Sequence, residues 1–471
     1  MSAPTRQSER PLGSARTVVA ASTAQAGFIV ILIAQFLMVL DTTVVYVALP
    51  TMARDLGLDG AWAPWVMDAY LLGLGGFLLV GGALTGRIGR RRQFLWATVA
   101  FGIASLLCAA AGTGAMLVAG RFLQGIAAAL VTPAAMALIG DLFTAPQARR
   151  RAIATFAGLG GIAGASGSLA GGVLMLAGWQ WVFLVNVPLV LAIVVAGARI
   201  LPAHPSTDSR MPDWLTALMI TAGLVLVIAG LGGVAGGPGG VVALLAIGFS
   251  LLGAGWWRQR VSTRPLVPPG LLARMDVRAG NALTAIIGCS LFAGFYLVTL
   301  HLQGGLGFSP LIAGLLVVPL SLALYAGSRI AGTLLSRHET ERPTDRPRGL
   351  IAVSLGAQAL GMAALWLSSS SVPASTAGMV AAYVVPGVVW AAGVGVGLVA
   401  GFTASTAGLP DSVRGPGSGL ANVSLQMGGA VGVAAVAQLA AAWGVATAAG
   451  YLSGGLVVAV VVGALWKVKG E

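Results

Sequence analysis

The sequence predicts an all-α polytopic membrane protein, and three observations carry that prediction. Hydrophobic residues make up 57% of the 471 residues and charged residues only 9%, where a soluble domain carries about 25% charged residues. Mean hydropathy is +0.91. The apolar residues fall in long uncharged runs, separated by short arginine-rich segments. Water cannot solvate such a chain, so most of its surface must face lipid. The 69 glycines fit the same solvent, because small residues let helices approach closely where lipid supplies no hydrophobic drive between them.

A spanning helix needs about 20 apolar residues. The first two spans are read at 27–50 and 62–86, and 94–141 forms a hairpin broken near Gly112-Thr113-Gly114. Uncharged runs at 152–198, 214–257, 279–328, 349–410 and 415–466 each hold two spans and a tight turn. The turn signals are Gly178-Trp179-Gln180, Gly232 to Gly240 with Pro238, Gly304 to Pro310, Ser369 to Pro373, and Trp443-Gly444. Fourteen spans result.

Charge sets their direction. The net charge of +13 comes mostly from arginine, and it reads as topology rather than as a nucleic-acid surface. With the N-terminus inside, the inner segments hold Arg6, Arg10 and Arg16; Arg87 and Arg90 to Arg92; Arg149 to Arg151; Arg199 and Arg210. They continue with Arg258 to Arg278, Arg329 to Arg348, Arg414, Lys467 and Lys469. The outer loops carry only Arg54, and Arg121 alone lies within a span. Residues 1–26 read as a cytosolic tail, because the apolar run that follows is too long for a signal core. A repeat supports two related halves: Gly82-Ala-Leu-Thr-Gly-Arg87 and Gly332-Thr-Leu-Leu-Ser-Arg337 both follow an inner helix end.

Several function classes fall away. No phosphate-binding Gly-x-x-x-x-Gly-Lys-Ser/Thr loop is present, so active transport would draw on an ion gradient unless a separate subunit supplied energy. Cys108 and Cys289 are isolated, and His204, His301 and His338 are scattered. No disulfide, metal site or cofactor is expected, and a membrane enzyme lacks its constellation.

The motifs then resemble one family. They are Leu40-Asp-Thr-Thr-Val-Val-Tyr-Val-Ala-Leu-Pro50, Trp65-Val-Met-Asp-Ala-Tyr70, Gly82-Ala-Leu-Thr-Gly-Arg-Ile-Gly-Arg-Arg91, Arg121-Phe-Leu-Gln-Gly-Ile-Ala-Ala-Ala129, Trp179-Gln-Trp-Val-Phe-Leu-Val-Asn-Val-Pro188 and Gly417-Ser-Gly-Leu-Ala-Asn-Val-Ser-Leu-Gln426. In this order, the chain resembles the fourteen-span drug:proton antiporters of the major facilitator superfamily over essentially its whole length. That resemblance implies two six-helix halves plus two central linker helices. The expected layout is a tail at 1–26, an N-terminal half at 27–201, a linker with two extra spans at 202–257, an inner loop at 258–278, a C-terminal half at 279–467 and an inner C-terminus at 468–471. Three positions depart from the family pattern. Tyr46 stands where Asn is usual, Gly86 where an acid is usual, and Ser168 where the span 5 glycine motif has Pro.

Charges inside a membrane are expensive and mark function by default. By helix rise, Asp41 in span 1, Asp68 in span 2 and Arg121 in span 4 each lie roughly 9 Å from the outer face. Apolar surroundings favour the protonated acid, and a guanidinium favours the carboxylate. The expected roles are Asp41 as proton carrier, Arg121 as its modulator and Asp68 as the residue near cationic substrate. The resemblance supports the first two roles, and position supports the third. Gln124, one turn from Arg121, extends the polar path. Tyr296, Asn422 and Gln426 are further substrate candidates, and Asn186 is another polar group within a span; helix bridging is the plain alternative for each. Gly82, Arg87, Gly89, Arg90 and Arg91 form the expected conformational motif or gate. Gly164, Gly167, Gly171 and Gly172 form the span 5 glycine motif, read as a close helix contact. Trp62, Trp65, Trp179 and Trp181 read as an interfacial belt.

The resulting expectation is a proton-coupled exporter of small apolar or monocationic drugs, antibiotics or secondary metabolites. It sits in a bacterial inner membrane as a monomer, with both termini cytoplasmic. Its partners are a small-molecule substrate, protons and lipid, without nucleic acid. A metabolite importer of the same fold stays open because of Ser168, and a non-transporting sensor is the remaining alternative.

Overall fold

The computed structural model describes residues 12–58, 62–203, 213–232, 237–263, 265–268, 270–336, 345–370 and 376–468. Arg6, Arg10, Arg210, Arg264, Arg337, Arg342 and Lys469, used above to orient the chain, lie outside the described residues.

Every regular element among the described residues is helical. The N-terminal half runs α1 (Leu12–Asp55), α2 (Trp65–Ile88), α3 (Arg90–Ala109), α4 (Gly114–Leu142), α5 (Pro146–Leu174), the short α6 (Trp181–Leu184) and α7 (Asn186–Ile200). Two linker helices follow, α8 (Trp214–Leu231) and α9 (Pro238–Val261). The C-terminal half runs α10 (Met275–Leu300), α11 (Pro310–Ser336), α12 (Asp345–Ser370), α13 (Thr376–Thr406), α14 (Asp411–Trp443) and α15 (Val445–Val468). Thirteen helices among the described residues are long and apolar enough to cross a membrane, counting α6 with α7 as one, and α15 is a shorter apolar helix over Val445–Ala459.

Thirteen of the expected fourteen spans are therefore present and α15 stands in the place of the fourteenth, with three local differences. Helix α1 starts at Leu12, so part of the polar tail is helical. The sixth span is divided at Val185 into α6 and α7. Pro238 starts α9 instead of lying in a turn, since proline is well placed where no helical N–H partner is needed. The breaks at Gly178 and Gly444 use φ of 115° and 85°, which only glycine adopts at low cost.

The halves repeat each other's packing. Helix α4 packs on α2 and α3, as α13 packs on α11 and α12. Helix α1 packs on α5 as α10 packs on α14, and α3 meets α7 as α12 meets α15. Between the halves, two equivalent seams join α5 to α11 and α2 to α14. Backbone contact explains the glycines there and within each half. A Cβ on Gly125 of α4 would strike the Tyr70 carbonyl of α2, and one on Gly395 of α13 would strike the Leu324 carbonyl of α11.

Arginine-bearing helix ends meet at one end of the bundle. Arg90 pairs with Asp141 at the end of α4, and Arg91 donates to the Ala198 carbonyl in the last turn of α7. Arg149 lies against Gly140, and Arg274 faces Gly408. Arg54 sits at the far end of α1. This is the asymmetry that the positive-inside rule exploits.

Candidate functional site

The centre of the N-terminal half holds a buried polar network in an apolar shell. Asp41 and Arg121 are both 0% exposed. The Arg121 Nη1 donates to Asp41 Oδ2 at 2.6 Å and to Gln124 Oε1 at 2.9 Å. Its Nε donates to the Val66 carbonyl of α2 at 3.1 Å. The guanidinium lies 4.5 Å from the Tyr70 ring centre, within cation–π range. On the other carboxylate oxygen, Asn186 Nδ2 donates to Asp41 Oδ1 at 2.7 Å and Gln124 Nε2 donates at 3.2 Å. Ser105 of α3 accepts from Gln124 at 2.8 Å and from Asn186 at 3.3 Å. Five helices, α1, α2, α3, α4 and α7, thus converge on one ion pair.

Local sequence explains how they reach it. Gln124 follows Arg121 by three residues, so both project from one face of α4. Gly167 and Gly171 of α5 let that helix press on α1 beside Asp41. A Cβ on Gly167 would strike Thr43, and one on Gly171 would come within 3.2 Å of the Val44 carbonyl. Removing one partner of a buried pair leaves an uncompensated charge, at about 3–5 kcal/mol.

Asp68 stands apart from this network. It is 1% exposed, and neither carboxylate oxygen has a hydrogen-bond partner among the described residues. The depth reading puts it level with Asp41, yet no ion pair joins it to Arg121 among the described residues. It lies instead within electrostatic range of Tyr46 of α1 and Tyr296 of α10. Tyr46 reaches across to the C-terminal half: its hydroxyl donates to the Phe292 carbonyl at 3.5 Å and its ring faces Phe295 at 5.9 Å. That crossing gives a structural role to the tyrosine that replaces the usual asparagine. Two turns along α2, Gly75 packs on Gln426 of α14. Gln426 is buried with its Oε1 unpartnered among the described residues, and Asn422, one turn away, is half-buried. Asp68, Tyr296 and Gln426 therefore share the junction between the halves, while Asp41, Arg121 and Gln124 lie inside one half.

The expected gate residues divide. Gly89 has φ of 91° between α2 and α3 and requires glycine. Arg90 and Arg91 tie α3 to α4 and α7 within the N-terminal half, and Arg87 closes α2. Gly82 is exposed, with nothing near its would-be Cβ; its neighbour Gly81 is the packed one, against the Ala129 carbonyl. In the glycine motif, Gly172 packs on Leu311 of α11, and Gly164 is the loosest, 3.8 Å from Thr43. Ser168, in place of proline, bonds back to the Gly164 carbonyl at 3.1 Å. Trp62 and Trp181 are exposed, as an interfacial belt requires, whereas Trp65 and Trp179 are buried, against that reading. Ser105 went unnoticed in the sequence, because a serine in an apolar run carries no signal of its own.

Comparison with known proteins agrees with this architecture. The family profile described as Major Facilitator Superfamily matches residues 31–433. The puromycin resistance protein pur8 of Streptomyces alboniger is 38% identical over 417 residues, covering 87% of this chain and 80% of that protein. The cephamycin export protein CmcT of Amycolatopsis lactamdurans is 34% identical over 424 residues, covering 88% and 84%. Among solved structures, an auto-inhibited POT family peptide transporter matches in fold, with a TM-score of 0.65 at 16% identity over 94% of this chain and 96% of that one. The fourteen-helix bundle, its paired halves and these relatives lead to one conclusion: the chain belongs to the Major Facilitator Superfamily.

Proposed function

We propose that this protein is a proton-coupled exporter of small apolar or monocationic antibiotics and related metabolites. The observation that carries the reading is the fully buried Asp41–Arg121 pair, held by donors from neighbouring helices in a transporter bundle. In this arrangement donors serve both oxygens of the carboxylate. A movement that draws Arg121 away leaves a charge in oil without a counter-ion, and binding a proton relieves it. Return of Arg121 expels the proton. Asp68, unpartnered at the junction of the halves, supplies the complementary site: a buried carboxylate there is offset by a proton or by a cationic substrate. Tyr46, Tyr296 and Gln426 surround the junction with aromatic and polar surface suited to such a guest.

In this reading the N-terminal half over 27–201 and the C-terminal half over 279–467 rock about the junction, with 202–257 as an added pair of spans. The arginine distribution supports cytoplasmic termini, and the bacterial relatives support a bacterial cell membrane. Those relatives' names, a resistance protein and an export protein, support outward movement. The working unit is a single chain carrying substrate one way and protons the other, without a catalytic step.

The test is efflux of ethidium and puromycin from cells expressing the protein, with and without a protonophore. Export is expected to stop when the gradient collapses. Gradient-dependent uptake would instead establish the importing alternative.

A further inference from the structure

The two linker helices and the loop after them lie across one of the two seams between the halves. Helix α8 crosses that seam on a diagonal. Near its start, Ala217 packs with Val80 and Leu84 of α2. At mid-length, Thr221 fills the space beside Gly76 of α2. At its far end, the Gly232 carbonyl accepts from Gln438 of α14.

The loop between α9 and α10 continues the crossing at the arginine-rich end. Leu266 joins the Val80, Leu84 and Ala217 cluster. Val267 and Leu271 join a second cluster with Val277 of α10, Leu409, Leu79 of α2, and Val413 and Leu420 of α14. A single loop thus buries apolar side chains against both α2 and α14. Two polar clamps fix its base. Gln259 at the end of α9 donates to the Val267 carbonyl at 2.8 Å and accepts from the Leu266 N–H at 2.9 Å. Asp213, which caps α8, accepts from Thr216, from Ser262 at 2.9 Å and from Arg258 at 3.2 Å. At the other seam, α5 against α11, the element in contact with both helices is α1, a member of the N-terminal half, instead of a linker helix.

We propose that α8, α9 and residues 265–268 and 270–274 form a strap that holds the arginine-rich ends of α2 and α14 together and sets the balance between the two conformations of the transport cycle. The proposal rests on the alternating-access reading above for its consequence, but not for its geometry. When α2 and α14 part at that end, either Leu266 leaves α2 or Leu271 leaves α14. The apolar burial lost in that step opposes opening, so weakening the strap favours the parted state.

The test measures distance between spin labels at Ile88→Cys and Ser418→Cys, which are exposed positions at the arginine-rich ends of α2 and α14. The purified full chain without the two introduced cysteines is the labelling control. The Leu266→Ala, Leu271→Ala double variant is expected to raise the ratio of parted to joined populations about fivefold. Gln259→Ala, which keeps every apolar side chain, should move it the same way by a smaller factor. An unchanged distance distribution in both variants, each monodisperse and folded, would overturn the strap. Efflux measured in parallel separates the two ideas: absence of gradient-driven efflux in the parent contradicts the transport reading, while the distances still decide the strap.

Discussion

The two halves share a packing plan but differ at their centres. In the N-terminal half, α1, α3, α4 and α7 enclose Asp41, Ser105, Arg121, Gln124 and Asn186. In the C-terminal half, the equivalent helices α10, α12, α13 and α15 line a small apolar cavity of about 20 Å³, with Val298, Met362, Leu365 and Ala449 on its walls. Tyr383 and His301, stacked with ring centres 4.7 Å apart and hydrogen-bonded to each other, also line it. Tyr383 is seven residues into α13, just as Arg121 is seven residues into α4. One backbone plan therefore tolerates either an ion pair or an oily centre. The charge in the N-terminal half is not a requirement of the fold, which is the main reason to read it as function.

The largest expected effect breaks that contrast outright. Arg121→Ala should destabilise the protein by about 3–5 kcal/mol, because Asp41 keeps its burial and loses its counter-charge. The check is thermal unfolding in detergent. The double variant Arg121→Ala, Asp41→Leu imitates the C-terminal centre and should recover much of the stability without recovering transport. Next in size is the junction. Asp68→Asn should weaken ethidium efflux about tenfold, the size of one modest charge contact. Efflux of a neutral drug such as chloramphenicol should change little, and dose–response curves for both drugs decide the point.

Much of this was legible in the sequence, for reasons that differ by residue. Asp41, Asp68 and Arg121 stood out because a charge in an apolar run is costly in lipid, whether it serves transport or only pairs to fix helix packing. Gln124 followed from helical spacing. Ser105 did not, and Asn186 looked no different from any other polar span residue, because their value comes from helices far apart in sequence that meet at one carboxylate. The depth estimate placed Asp68 level with Asp41 but could not give its direction around α2, and it faces the other half. Burial of Trp65 and Trp179 was hidden for the same reason: depth follows from counting residues, whereas facing follows from tertiary contacts.

Two smaller effects sharpen the account. Gly81→Ala forces a Cβ onto the Ala129 carbonyl and should cost about 1–3 kcal/mol. Gly82→Ala, into open space, should stay within about 0.5 kcal/mol. Expression level and unfolding temperature compare the pair. Asp213→Ala removes the cap of α8 and should cost about 1 kcal/mol at neutral pH, with the half-exposed Arg258 contributing little. Burial pushes the Asp213 carboxyl up, but hydrogen bonds from Thr216, Ser262 and Arg258 outweigh it and hold the group below its ordinary 3.8. A depressed folded value means the stabilisation is present above pH 3.8 and fades as pH falls through the lower folded value. The gap between parent and Asp213→Ala should therefore be constant near neutrality and close only in stronger acid.

The claim that Asp41 couples protons to substrate is tested most directly in proteoliposomes loaded with ethidium. The parent should move the dye against its concentration when a pH gradient is imposed. Asp41→Asn, which keeps the shape and most of the hydrogen bonds, should still exchange dye across the membrane at equilibrium yet gain nothing from the gradient. Equal gradient-driven accumulation by Asp41→Asn and the parent would contradict the account.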